Sequence, residues 1–117
     1  MRNLKPFNIA IIFLLFGILQ CSLAFADCST KICVGLIERI LMDSEGTAWI
    51  ATDGDERSLN CSADSGVYVT MTTASPVFKE QYALLLTAQS LGQVVGLRII
   101  EGSENCAVSY IYLDAPK

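Results

Sequence analysis

The first 26 residues decide how much of this chain belongs to a folded domain. Arg2 and Lys5 precede an apolar run from Ile9 to Leu19, interrupted only by Gly17, and Ala24-Phe25-Ala26 puts small residues at the two positions a signal peptidase reads. That order is the pattern of a secretory signal peptide, with cleavage expected after Ala26. The apolar run is about half the ~20 residues needed to span a bilayer, which argues against a membrane anchor. Leu19-Gln20-Cys21 sets a large polar residue where a lipoprotein acceptor needs a small one, so Cys21 is expected to leave with the peptide. The expected address of the remainder is periplasmic or secreted.

Removing 26 residues from 117 leaves 91, enough for one domain over 27–117. Arg2 and Lys5 depart with the leader, so Lys+Arg falls from 8 to 6 against 12 Asp+Glu, a net charge of −6. Nucleic-acid binders gain most of their affinity by neutralising phosphates, so nucleic acid is not an expected partner. On the same ground an anionic membrane surface is not an expected partner of the mature form.

Four cysteines remain: Cys28, Cys33, Cys61 and Cys106. An even number in a short exported chain reads as a disulfide framework, with three connectivities open. In so small a domain each bridge, at about 2–4 kcal/mol, is a large share of total stability. A zinc site would need ligands that this chain lacks, since it has no histidine and no Cys-x-x-Cys. No metal and no cofactor is expected.

Along the domain, Val34 to Met42 is apolar and β-rich, with imperfect alternation around Leu36-Ile37 that suggests a bulge. Asp43-Ser44-Glu45-Gly46 turns the chain into a returning strand from Thr47 to Thr52. Asp53-Gly54-Asp55-Glu56 is a charged loop, and Ser58 to Cys61 is read as resumed pairing. Val67 to Thr72 alternates, with Val67, Val69 and Met71 on one face and Tyr68, Thr70 and Thr72 on the other. Ser75 as N-cap, Pro76 at the first helical position and Gly92 as stop frame one helix. Val77, Phe78, Tyr82, Leu84, Leu85, Ala88 and Leu91 form its wide apolar face, expected to pack on a sheet. Gln93 to Glu101 and Ala107 to Leu113 close the chain as strands.

The fold class is therefore mainly β with one helix, in the order β-β-β-α-β-β. That is the order of a five-stranded OB-fold-like barrel; an open α+β sheet is the competing architecture. In the barrel, the first strand pairs with the second and the fourth. That brings Cys33, Cys61 and Cys106 to one pole, and favours Cys28 or Cys33 bonded to Cys106 with the other bonded to Cys61.

Several segments together resemble a known group. They are the Gly-x-Ile-x-x-Ile-like strand Gly35-Leu36-Ile37-Glu38-Arg39-Ile40, Asn60-Cys61-Ser62, the helix Tyr82-Ala83-Leu84-Leu85-Leu86-Thr87-Ala88, Gly92 to Val95, and the late Cys106. The chain is similar to small exported proteins of Gram-negative bacteria. More remotely it resembles the receptor-binding B subunits of pentameric toxins of the subtilase-cytotoxin and typhoid-toxin kind. The resemblance implies an OB-fold, assembly into a homo-oligomeric ring and glycan binding. It assigns no sugar-contacting residue to any position here.

Catalytic chemistry finds little support. Histidine is absent, and there is no Gly-x-Ser-x-Gly elbow and no phosphate-cradling glycine loop. Asp53, Asp55 and Glu56 lack the regular ligand alternation of an EF-hand loop and read as a solvated turn. Asn60-Cys61-Ser62 matches a glycosylation sequon around a cysteine expected to be bridged. Trp49, the sole tryptophan, is the candidate ligand-binding residue if it faces outward, where it can stack on a sugar; an inward-facing core Trp is the plainer reading. Tyr110 and Tyr112 read as barrel wall, on one face with Val108. The expected function is a non-enzymatic binding module for a glycan or a protein, the alternative being an oligomeric toxin-like subunit.

Overall fold

A computed structural model describes residues 26–115; the leader expectation, apart from Ala26, falls outside them. The strands are β1 (Asp27–Cys28), β2 (Ile32–Gly35), β3 (Ile37–Met42), β4 (Thr47–Thr52), β5 (Val69–Thr72), β6 (Val95–Ile99) and β7 (Val108–Leu113). Among the described residues one α-helix, α1 (Phe78–Leu91), lies between β5 and β6. Two antiparallel sheets result, ordered β1-β2-β6-β7 and β3-β4-β5. Among the described residues no helix is long and apolar enough to cross a membrane.

One run of chain serves both sheets. It breaks at Leu36, whose N–H donates to Asp53 Oδ1 at 2.7 Å, and the pairing register shifts between Ile37 and Arg39. The imperfect alternation around Leu36-Ile37 is this change of sheet. The strand then turns at Asp43–Gly46, where Gly46 takes φ +83°, a conformation open to glycine at little cost. Before the break, β2 pairs antiparallel with β6, the expected pairing of the first long strand with the one after the helix.

The two sheets do not close into a barrel. Between β5 and β7 the described residues form one parallel bridge, Thr70 to Ala107, with Thr70 N–H donating to Cys106 O at 3.0 Å. Beyond it the edges part over a cleft of about 460 Å³. Side-chain and turn bonds there take groups that a ladder would have used. Gln81 Nε2 donates to Ser109 O at 3.2 Å, and Ser75 N–H donates to Thr72 O at 3.0 Å.

The disulfides are Cys28–Cys33 and Cys61–Cys106, which corrects the expected pairing of an early cysteine with Cys106. The reason is a strand too short to read from sequence. The two-residue β1 folds back on β2 and sets Cys28 directly opposite Cys33, with Cα atoms 4.0 Å apart. Cys61 meets Cys106 because the chain after β4 is drawn onto the 102–106 turn, Gly102 N–H donating to Asn60 O at 2.7 Å. Ser58 to Cys61 does not resume strand pairing; Glu56–Ser58 is a 3-10 turn instead.

The helix also departs from expectation. It starts at Phe78 with Val77 as N-cap, two residues after the expected start, because Ser75–Val77 forms a turn whose carbonyl at Ser75 receives Phe78 N–H. Gly92 ends it in the left-handed conformation, its N–H donating to Ala88 O and Gln89 O. Phe78, Gln81, Leu85 and Ala88 face the core, and Tyr82 stacks on Phe78 at 5.7 Å. Val77, Leu84 and Leu91 stand exposed in a column at seven-residue spacing, since a helix lying on the β3–β7 side buries only one stripe. The core itself is Ile50, Val69, Leu85, Val95, Leu97 and Ile99 with the cystines.

Candidate ligand-binding face

Strand β4 sends Ala48, Ile50 and Thr52 inward and turns Thr47 and Trp49, both only partly buried, to the other side of the pleat, where Ala51 is buried as well. Trp49 therefore lies on the outer face, half-buried, opposite Leu41 of β3 and Thr70 of β5. It is absent from the core cluster, so the inward-facing reading of Trp49 does not hold. The adjacent inner positions are filled by Ala48 and Ile50, which leave the indole only the other side of the pleat.

Three side chains fix the geometry around the indole. Its Nε1–H donates to Asp43 Oδ2 at 2.9 Å, while Asp43 Oδ1 accepts from the N–H groups of Glu45 and Thr47, each at 2.9 Å. One carboxylate thus caps the hairpin turn and orients the ring. The indole hydrogen bond, then the Thr47 amide, hold the Asp43 carboxyl below the ordinary Asp range, against a small opposing effect of desolvation. Tyr68 meets Trp49 edge to face, with centroids 6.2 Å apart and planes at 82°. Arg39 Nη1 donates to Tyr68 Oη at 3.0 Å.

The assembly is an L-shaped aromatic corner with a cation at one end and a carboxylate at the other. Among the described residues the one ion pair joins Arg57 to Asp55 at 2.9 Å, so the Arg39 guanidinium meets no carboxylate. A corner of this kind offers a ring for stacking against an apolar sugar face, and donors for hydroxyl or anionic groups beside it. Sequence reading singled out Trp49 but not Asp43, Tyr68 or Arg39. The Asp43 contact follows from the hairpin it caps. Arg39 comes from β3 and Tyr68 from the residue just before β5, on either side of β4, and no local signal places them without the register.

The other sequence candidates disperse. The four cysteines are structural cross-links. Asp53, Asp55 and Glu56 point to three separate tasks: Asp53 binds Leu36 N–H, Asp55 pairs with Arg57, and buried Glu56 accepts from Thr52 N–H and Oγ1 at 2.6 and 2.7 Å. Arg57 holds the Asp55 carboxyl below its usual range. Among the described residues no group of three or more cysteines and carboxylates is placed to hold a metal ion. Tyr110 and Val108 do not share a face, because the register shift between Arg98 and Ile99 turns Val108 to the core and Tyr110, 49% exposed, outward. Tyr112 lies over Gly96, where a Cβ would collide with its ring.

Comparisons with protein-family models, with curated proteins and with solved structures find no match to this chain.

Proposed function

We propose that this chain is an exported, non-enzymatic binding module, released by cleavage after Ala26, that holds a carbohydrate in the corner formed by Trp49 and Tyr68. The observation that carries the reading is an outward-facing indole whose N–H is already engaged by Asp43, so that its orientation is set before any ligand arrives. Support for export comes from the leader pattern and from four cysteines joined in two disulfides. The topology supports it further. We read the strand order, the β2–β6 pairing and the Thr70–Ala107 bridge as an OB-like arrangement open at one seam. OB-folds bind oligosaccharides and oligonucleotides on the face of their second and third strands, here β4 and β5. The acidic balance favours the sugar over the nucleic acid.

A glycan-array screen of the processed protein, followed by indole-fluorescence titration of the hits, tests this. Binding that Trp49→Ala removes is the expected result. Absence of glycan binding, or binding unchanged by Trp49→Ala, overturns it and leaves a protein ligand as the default. A second reading, the oligomeric subunit, is favoured by the exposed column Val77, Leu84 and Leu91. Light scattering separates a monomer from a ring.

A further inference from the structure

The other end of the three-stranded sheet carries a feature that the ligand-binding reading does not use. The Asp53 carboxylate and Ala26 converge on the same spot. A Cβ added to Gly35 would collide with Asp53 Oδ1 and come within 3.1 Å of Ala26 Cβ. Next to it, a Cβ on Gly54 would stand 2.7 Å from Cys28 Sγ and 3.7 Å from Cys28 N. Residues 26–28 therefore run across the Gly35 and Asp53-Gly54 backbones, and Ala26 forms part of the wall of a cleft of about 520 Å³ with Asp53, Asp55 and Arg57.

We propose that cleavage after Ala26 replaces this piece of wall with a charge, and that the new α-ammonium of Asp27 takes the Asp53 carboxylate as its counter-ion. The inference rests on the processing site read from the sequence. Chemically, water hydrolyses the Ala26–Asp27 peptide bond. The leader keeps the hydroxyl as a carboxylate on Ala26, and the freed amine of Asp27 takes up a proton.

Three facts make the pairing specific. First, the new terminus is held in place: Asp27 pairs with Val34, and Cys28, one residue on, is bonded to Cys33. Little chain entropy opposes an ion pair from so short a tether. Second, Asp53 is the carboxylate of this loop with capacity to spare. Asp55 is engaged by Arg57, and Glu56 turns inward to Thr52. Third, the remaining walls add no competing cation. Ser65, Gly66 and Val67 are uncharged, β2 offers Val34 opposite Asp27, and Arg57 is committed to Asp55. The carboxylate of Asp27 sits on the same residue as the amine in the folded and unfolded chain and in wild type and Asp53→Asn alike, so it drops out of the comparison that isolates Asp53.

The sign is fixed by linkage. A counter-ion raises the amine's folded-state pKa above its unfolded value, so the stabilisation is complete below that value and is lost as pH rises through the folded pKa. The experiment uses the full chain, exported and isolated after processing, with mass and N-terminal sequencing to define its first residue. The α-amine is titrated by ¹⁵N NMR in the wild type and in Asp53→Asn, which removes the charge but keeps an oxygen to accept Leu36 N–H. The expected result is an amine pKa at least about half a unit above the ordinary ~7.7–8.0, returning to that range in Asp53→Asn. An ordinary value in the wild type, or a raised value that survives Asp53→Asn, overturns the ion pair. A product that begins anywhere but Asp27 overturns the processing site instead, so the two failures are distinguishable.

Discussion

Strand β4 presents two unlike faces. Toward the helix and the second sheet it buries Ala48 and Ile50 completely, against Val69, Leu85 and Leu97. Away from them it carries Trp49, placed by hydrogen bonds and an aromatic edge contact rather than by close packing. Neighbours in the chain thus answer to different physics. The inner side gains from water excluded, roughly 25 cal/mol per Å² of apolar surface; the outer side gains its order from oriented polar contacts. Substitutions on the two sides should therefore separate stability from binding.

The largest expected effect comes from removing the strut that keeps the inner face covered. The Cys61–Cys106 bond spans 45 residues beside the bridge where the sheets meet, whereas Cys28–Cys33 spans 5 within one hairpin. Chain-entropy scaling gives about 4 kcal/mol for the first bond and about 2 kcal/mol for the second. Urea unfolding of the Cys61→Ala/Cys106→Ala protein should thus show roughly twice the loss seen for Cys28→Ala/Cys33→Ala. Equal losses would mean that the sheets are held together by packing alone.

Next in size is Ile50→Ala, expected to cost about 2–5 kcal/mol as a fully buried truncation while leaving glycan affinity unchanged in fluorescence titration. Trp49→Ala should do the reverse, costing about 1 kcal/mol through the lost aromatic pair while lowering glycan affinity at least about tenfold. If both variants lose stability and affinity together, the two faces are one unit. Tyr68→Phe is smaller still. It removes the hydroxyl that Arg39 contacts and should shift stability by no more than about 0.5 kcal/mol in thermal melts.

The smallest expected effect is that of acid. Because the folded Asp43 carboxyl is held below its unfolded value, its contribution is present above that value, ~3.9, and fades as pH falls through the folded pKa. Indole fluorescence should track this loss at acid pH, and Asp43→Asn should remove that transition. A wild-type transition that persists unchanged in Asp43→Asn would assign it to another carboxylate.

Much of the architecture was legible in the chain because it rests on local signals. The turn at Asp43–Gly46 and the stop at Gly92 correspond to observed elements, whereas the alternating run read from Val67 to Thr72 is a strand only over Val69–Thr72, Val67 lying exposed in the turn before it. What escaped reading depends on register and on competition between elements. The two-residue β1 has no periodicity to detect, yet it decides the cysteine pairing. Gln81 is buried while Leu84 and Leu91 are exposed, because the Gln81 amide finds the Ser109 carbonyl across the seam and fixes which stripe of the helix faces inward. Trp49 was visible as a candidate. Its direction was not, since Thr47 to Thr52 is apolar enough on both faces to pack either way.

The spacing of the cystines also bears on the order in which the chain becomes oxidised. A polypeptide that emerges N-terminus first presents Cys28, Cys33 and Cys61 well before Cys106, and three thiols invite a wrong partner. Closure of the β1–β2 hairpin needs only the five-residue separation of its cysteines, so it can remove two of the three early. Cys61 is then left with one correct mate still to come. The spacing thus favours closure of the short cystine, modest as a staple of the finished domain, before that of the long one.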